Sequence, residues 1–260
     1  MNILDEISGY ARERVESAKK KISAEEMKKM AYEKGRGDFA FEKKLSEGGL
    51  SFICECKKAS PSKGIIAEEF PYLDIAKEYE NAGADCISVL TEPKWFLGDK
   101  RYLEEISEVT GIPCLRKDFI VDEYMIYEAK ALGASAVLLI CALLSEETLC
   151  RYIRICDELG LSALVEAHNE SEVKQALKAG ARVLGINNRN LTDFSVDTEN
   201  AKNMRKYIPE DVIFVSESGI RDGEDVLRAK EAGADAVLVG ESLMRAKDKK
   251  EKLMELKRLI

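Results

Sequence analysis

A closed (β/α)8, or TIM, barrel carrying an N-terminal helical extension is the fold that this 260-residue sequence predicts, and three observations predict it. First, four segments repeat one another: NAGADCISVL at 81–90, ALGASAVLLI at 131–140, KAGARVLGIN at 178–187 and EAGADAVLVG at 231–240. Each reads as a helix end, a glycine able to close it in the left-handed conformation, and a short apolar strand. Gly83, Gly133, Gly180 and Gly233 stand 50, 47 and 53 residues apart, a spacing that suits two strand–helix units per repeat. Second, four more apolar runs fall between the repeats: SFICECK (51–57), IPCLRKD (112–118), LSALVEAH (161–168) and DVIFVSES (211–218). Third, the runs are rich in Val, Ile, Leu and Cys, as parallel strands covered on both faces are. Eight strands alternating with helices over residues 50–260 favour closure over a doubly wound open sheet, whose nucleotide fingerprint is missing.

Taken in chain order, Leu4, Ile7, Ala11, Val15, Ala18 and Ile22 form one apolar helical stripe. Ser23-Ala-Glu-Glu26 reads as a capping box that opens a second helix ending near Gly35. Residues 1–48 are therefore a two-helix extension packed on the barrel, within a single domain spanning 1–260. The barrel repeat is complete without them, so a chain starting near Ser46 should still close, while losing cover over its mouth. In the barrel proper, YLDIAKEYENAG, DEYMIYEAKALG, SEVKQALKAG and GEDVLRAKEAG carry apolar residues at helical spacing. The last stretch, Lys247 to Ile260, is a charged helix with a Leu/Met stripe and no chemical signal.

Composition narrows the function. Hydrophobic residues make up 45% and charged residues 34%, with a net charge of -8. That balance disfavours a nucleic-acid partner, but not a small phosphorylated ligand held by a few backbone amides and lysines. No run is long and apolar enough to span a membrane, and the N-terminus lacks the apolar core of a signal peptide. Seven cysteines without metal-ligand spacing read as reduced, mostly buried thiols of a cytoplasmic protein.

In this architecture active sites form at the C-terminal ends of the strands, where residues two apart share a face. Glu55 and Lys57 end the first strand on one face; were they turned outward, Cys54 and Cys56 would line the mouth instead. Lys117 closes the third strand, Glu166 the fifth, Asn187 and Arg189 the sixth and Glu217 the seventh. Glu55, Lys57, Lys117 and Glu166 would converge as two ammonium groups and two carboxylates, a set able to hold an acid and a base at neutral pH. A lysine acid works best with a lowered pKa, and Lys57 beside Lys117 would supply the lowering. His168, the only histidine, is read as standing behind the site or at the substrate's edge, structural rather than catalytic, so a histidine-based triad or metal site is disfavoured.

The seventh and eighth strands end in Ser218-Gly219-Ile220 and Gly240-Glu241-Ser242, the two turns that cradle phosphate in phosphate-binding barrels. Ser60 adds a hydroxyl. Phe96, next to Trp95, and Phe119 suggest a slot for a flat ring, with packing beneath the loop the competing account for Trp95 and Phe96.

The chain resembles the indole-3-glycerol-phosphate synthase family in CECKKASPSKG, LRKDFI, LVEAH, GINNRNL, SESGI and LVGESLM, in order and spacing. The similarity covers essentially residues 1–250 and implies a single phosphorylated substrate, 1-(2-carboxyphenylamino)-1-deoxyribulose 5-phosphate, with no cofactor and no metal. It implies Lys117 as the acid for ring closure. Lys57 would pair with the substrate carboxylate and serve the later dehydration, and Glu55 and Glu166 would be bases or orienting groups. Asn187 and Glu217 would be hydrogen-bonding partners of the substrate. Cys54 and Cys56 stand where aliphatic residues are usual. Glu241 stands where a small or polar residue is usual, and an acid there repels phosphate unless it points away or lends only its backbone. On the residues alone, a Schiff-base aldolase using Lys57 or Lys117, a phosphoribosyl isomerase and a non-catalytic phosphosugar-binding barrel stay open.

Overall fold

The computed structural model describes residues 3–190 and 194–260; Leu191, the end of the GINNRNL segment, lies outside them. Eight strands run in parallel: Ser51–Cys56, Cys86–Leu90, Cys114–Lys117, Ala136–Ile140, Ser162–Ala167, Val183–Asn187, Ile213–Glu217 and Ala236–Val239. Each pairs with its sequence neighbours, and the eighth returns to the first with Ser51 opposite Ala236 and Cys54 opposite Val239, so the barrel is closed. The repeated glycines close their helices as the pattern implies: Gly83, Gly133, Gly180 and Gly233 all have φ between +82° and +91°.

Alternation along the strands divides the core in two. Ile53, Cys86, Leu115, Ala136, Leu138, Leu164, Val183, Val215 and Leu238 fill the barrel interior. Phe52, Cys54, Cys56, Val89, Val137, Val165, Leu184 and Val237 face outward, packed under the helices. Those helices are α4 (Tyr72–Asn81), α5 (Lys100–Val109), α6 (Tyr124–Ala131), α7 (Glu146–Leu159), α8 (Glu170–Lys178), α9 (Glu199–Arg205) and α10 (Gly223–Glu231). The C-terminal stretch divides into α11 (Glu241–Arg245) and α12 (Lys249–Lys257), and Leu253 and Leu256 of its stripe are fully buried.

The extension differs from its expected form. It holds three helices, α1 (Ile3–Lys19), α2 (Ala24–Glu33) and α3 (Ala40–Leu45), and they serve opposite ends of the barrel. Ile3, Leu4 and Ile7 of α1 stand at the mouth. Ser23 caps α2 by accepting from the Glu26 N–H (3.2 Å), and α2 packs along α6. The chain then reaches the C-terminal end of α7, where Gly37 N–H donates to the Leu159 carbonyl (2.8 Å) and Phe39 N–H to that of Gly160 (3.1 Å). From there α3 turns Phe41 and Leu45, both buried, into the interior cluster from below. The eight strands close without residues 1–48, but the packed interior does not, because two of its apolar side chains come from them. The six-residue α3 was illegible because it is too short to show a period and its N-cap, Phe39 at φ +61°, offers no capping side chain.

Candidate active site

The alternation that packs the interior also builds the site. Glu55 follows Ile53 by two residues, Lys117 follows Leu115, Glu166 follows Leu164, Asn187 follows Gly185, Glu217 follows Val215 and Gly240 follows Leu238. Each is the next inward position, one step beyond the apolar plug, at the C-terminal mouth. Cys54 and Cys56 accordingly turn to the helix layer, where burial raises both thiols far above their ordinary pKa. The mouth opens into a cavity of about 760 Å3. Its walls include Glu55, Lys57, Ser60, Phe96, Lys117, Phe119, Glu166, Asn187, Arg189, Glu217, Ser218, Gly219, Gly240 and Glu241.

The charges form two clusters. Lys57 Nζ donates to Glu55 Oε1. Across the floor, Lys117 Nζ lies 2.6 Å from Glu217 Oε2 and 3.4 Å from Glu166 Oε2, with side chains only 14%, 2% and 3% exposed. This corrects the expected effect of Lys57 on Lys117. Burial alone would lower the pKa of Lys117, but Glu217, Glu166 and Glu55 outweigh it and hold the ammonium above its usual value. Lys57 is engaged by Glu55 and does not set the balance. The two carboxylates on Lys117 are unequal. Burial and the neighbouring Glu166 and Glu55 push the Glu217 carboxyl up to about 7 against the pull of Lys117. Burial also works against the Glu166 anion, yet Lys117, His168 and a hydrogen bond from Asn187 hold its carboxyl below the ordinary value. Like charges sharing one cation split in this way.

Glycines make room for these groups. A Cβ on Gly185 would run into the Glu217 carboxylate, and one on Gly240 would strike Glu55 and come within 2.9 Å of Lys57 Nζ. Gly185 was not singled out by sequence, although a glycine inside an apolar strand is the usual mark of a close approach.

The aromatic wall rests on Glu92, a fully buried carboxylate that accepts from the N–H groups of Lys94, Trp95 and Phe96 at 2.7–3.0 Å. The turn it holds sends Phe96 into the cavity, 5.9 Å from the Phe119 ring. Trp95 turns away and packs edge-on against Tyr10 of α1, centroids 5.7 Å apart. The opposite wall is glycine-rich. Ser218 and Gly219 both have positive φ, +66° and +90°, and Ser242 Oγ donates to the Ile220 carbonyl (3.0 Å), joining the seventh and eighth loops. Glu241 is drawn aside by Arg245 (3.1 Å) and Lys63 (3.7 Å), which removes much of the objection to an acid here. Arg189 lines the same side, its Nη1 donating to the Phe194 carbonyl at 3.1 Å.

One ion pair leaves no trace in the sequence pattern. Arg14 of α1 forms a two-pronged ion pair with the fully buried Asp118, at 2.7 and 3.2 Å, next in chain to Lys117. No local pattern links residues so far apart. His168, expected behind the site or at the substrate's edge, does not line the cavity; it stands behind Glu166, against Glu172.

A family profile described as indole-3-glycerol phosphate synthase matches residues 4–256. Proteins of that name are 54% identical in Ruminiclostridium cellulolyticum, with 98% of each chain covered, and 49% identical in Lachnoclostridium phytofermentans, with 99% of this chain and 100% of that one covered. A third, from Endomicrobium trichonymphae, is 52% identical, with 98% and 99% covered. Among solved structures, 3-hexulose-6-phosphate synthase from Salmonella typhimurium superposes with a TM-score of 0.65 at 16% identity, over 80% of this chain and 97% of that one. At that identity the likeness speaks for the barrel fold alone. With the profile and these relatives spanning nearly its whole length, the chain belongs to the indole-3-glycerol phosphate synthase family.

Proposed function

We propose that the mouth residues carry out the family's reaction on 1-(2-carboxyphenylamino)-1-deoxyribulose 5-phosphate in tryptophan biosynthesis, with the carboxyphenyl ring against the wall that Phe96 and Phe119 form together and the phosphate at the Ser218–Gly219 and Gly240–Glu241 turns. The observation that carries this assignment is Lys117 held as an ammonium between two buried carboxylates on the cavity floor. As the ring carbon bearing the carboxylate attacks the ribulose carbonyl carbon, Lys117 protonates the carbonyl oxygen. Its raised pKa does not forbid this, because the alkoxide that develops is a stronger base than the amine. CO2 leaves and the ring regains aromaticity. The new hydroxyl then departs as water while a proton is taken from the adjacent methylene, giving the indole. Lys57 is the cation for the substrate carboxylate and the acid for the departing hydroxyl. Glu55 orients Lys57, Glu166 and Glu217 are the bases within reach of Lys117, and Asn187 positions Glu166. Arg189 and Ser60 complete the polar wall.

No helix among the described residues is long and apolar enough to cross a membrane, and a small phosphorylated substrate suits a cytoplasmic enzyme. A Schiff-base aldolase would need a neutral amine at Lys117, which the surrounding carboxylates oppose. The deciding measurement is indole fluorescence on adding the carboxyphenylamino ribulose phosphate, alongside borohydride treatment. Indole formation without a trapped lysine adduct is expected; a reducible adduct and no indole would favour the aldolase.

The phosphate assignment predicts a split in kinetic constants. A Cβ on Gly219 would meet Thr198 Cγ2 at 2.9 Å and Val196 Cγ1 at 3.0 Å, and its φ of +90° disfavours any side chain. Gly219→Val should distort the turn and weaken one or two hydrogen bonds to a charged group, raising KM about 10- to 100-fold. The Lys117 cluster is untouched, so kcat should change far less. Inorganic phosphate should compete with substrate in the unaltered protein and lose affinity in the variant. A normal KM would move the phosphate elsewhere.

A further inference from the structure

We propose that His168 is a positioning residue: as an imidazolium held between Glu166 and Glu172, it decides which of the two carboxylates sharing Lys117 stays ionised. It follows the fifth strand and its side chain is 15% exposed. Nδ1 lies 3.1 Å from Glu172 Oε2, and Nε2 lies 3.4 Å from Glu166 Oε1. Glu172 is fixed in turn by the His168 N–H (2.9 Å) and by Asn169 Nδ2 (2.8 Å). Glu166 presents its other oxygen to Lys117.

The ring's protonation follows from this placement. A neutral imidazole has one N–H and one lone pair, so either tautomer would turn a lone pair toward a carboxylate oxygen. Only the doubly protonated ring makes both contacts favourable. Nε2 is buried and makes no hydrogen bond with any described residue, so the Glu166 carboxylate at 3.4 Å is the charge it faces. The charged and titratable groups around the ring are Glu166 on its own strand, Glu172 on α8, Glu217 on the seventh strand, Lys117 beyond Glu166, and Cys141, whose Sγ lies 3.6 Å from the Glu172 carbonyl. Burial alone would lower the histidine pKa; the Glu172 hydrogen bond and the three carboxylates outweigh it and raise it.

The consequence falls on the pair over Lys117. Glu166 and Glu217 are both buried and both contact the same ammonium, yet only Glu217 is pushed up to about 7. The asymmetry lies behind them. Glu166 has His168 and Asn187, whereas Glu217 Oε1 has no hydrogen-bond partner among the described residues. Without the imidazolium, a proton held by the pair would move toward Glu166.

This inference rests on the reading that Glu166 acts as the anion in turnover. Because the chain holds a single histidine, 15N-histidine labelling of the full-length protein gives one imidazole to titrate by NMR. The expected midpoint lies above the ordinary value of about 6.5. In parallel, kcat/KM is measured against pH for the unaltered protein, His168→Gln and Glu166→Gln. His168→Gln keeps hydrogen-bonding capacity without charge, so the acid limb should move up by about one pH unit, the low end of what one nearby charge produces. Activity just below the original limb would then fall about tenfold, with recovery at higher pH. A ring titrating at or below 6.5, a superimposable His168→Gln profile, or an equal loss at every pH would each overturn the role given to His168. If Glu166→Gln keeps full activity, the reading of Glu166 fails and the role of His168 with it. An inactive Glu166→Gln beside an unshifted His168→Gln removes the role of His168 alone.

Discussion

Lys117→Ala should lower kcat by ~10²–10⁴-fold, the usual worth of a positioned general acid, while the barrel remains folded. The loss amounts to about 3–5 kcal/mol of transition-state stabilisation. Substrate binding should suffer less, because Lys57 and the phosphate turns lie elsewhere on the cavity wall. Electrostatic attraction and proton transfer are separable here. Lys117→Arg keeps a positive charge between Glu166 and Glu217, but a guanidinium does not release its proton in a protein. If proton delivery is what Lys117 contributes, the arginine variant should be nearly as slow as the alanine variant. If the field of the cation is enough, arginine should recover much of the rate. Single-turnover indole formation, which isolates chemistry from product release, is the measurement. A Lys117→Ala variant with unaltered kcat and only a raised KM would remove the residue from the ring-closing step.

The barrel was legible because its signals are periodic and local. The four glycine-closed repeats fall at the predicted helix–strand junctions, and the eight apolar runs become the eight strands within a few residues. The inward direction of Glu55, Lys117, Glu166 and Glu217 was legible for the same reason, since a period of two carries the face from apolar core to mouth. What the sequence hid depends on distance in space rather than along the chain. The state of Lys117 is set by Glu217, 100 residues away in sequence and its nearest charge, an approach that no motif spacing shows. Glu217 was read as a substrate ligand, and nothing local marked it as the partner of Lys117. The Arg14–Asp118 pair joins residues 104 apart, whereas Glu172, four residues from His168, is a local partner within reach of a helical-spacing reading.

The two ends of the extension do separate work, α1 at the mouth and α3 at the floor. A chain starting at Ser23 lacks α1, and with it Ile3, Leu4 and Ile7 at the mouth and the Arg14 clamp on Asp118. It keeps α2 and α3, so it should fold and retain the Lys117 cluster. Asp118 would still have Thr91 (2.6 Å) and Arg116 (3.5 Å). Its KM should rise and its midpoint of unfolding fall, with kcat the least affected quantity. A chain starting at Ser46 also lacks Phe41 and Leu45, which fill the barrel floor. Truncating a buried Phe costs ~3–5 kcal/mol and a buried Leu ~2–5 kcal/mol. Together they approach the ~5–15 kcal/mol that holds a typical domain folded, and the loss of α2 over α6 adds to it. The expected result is therefore a chain that is unfolded or aggregated, not an open-mouthed enzyme. Phe41→Ala in the full chain is the graded form of the test, since it removes floor packing and leaves the mouth intact. Its denaturant midpoint should drop sharply while KM, measured where it is still folded, stays near the original. Circular dichroism with denaturant titration and steady-state kinetics on all three variants decides the matter. A Ser46 chain with an undiminished midpoint would show that α3 is dispensable to the core, and a Ser23 chain with unaltered KM would show that α1 does not cover the substrate.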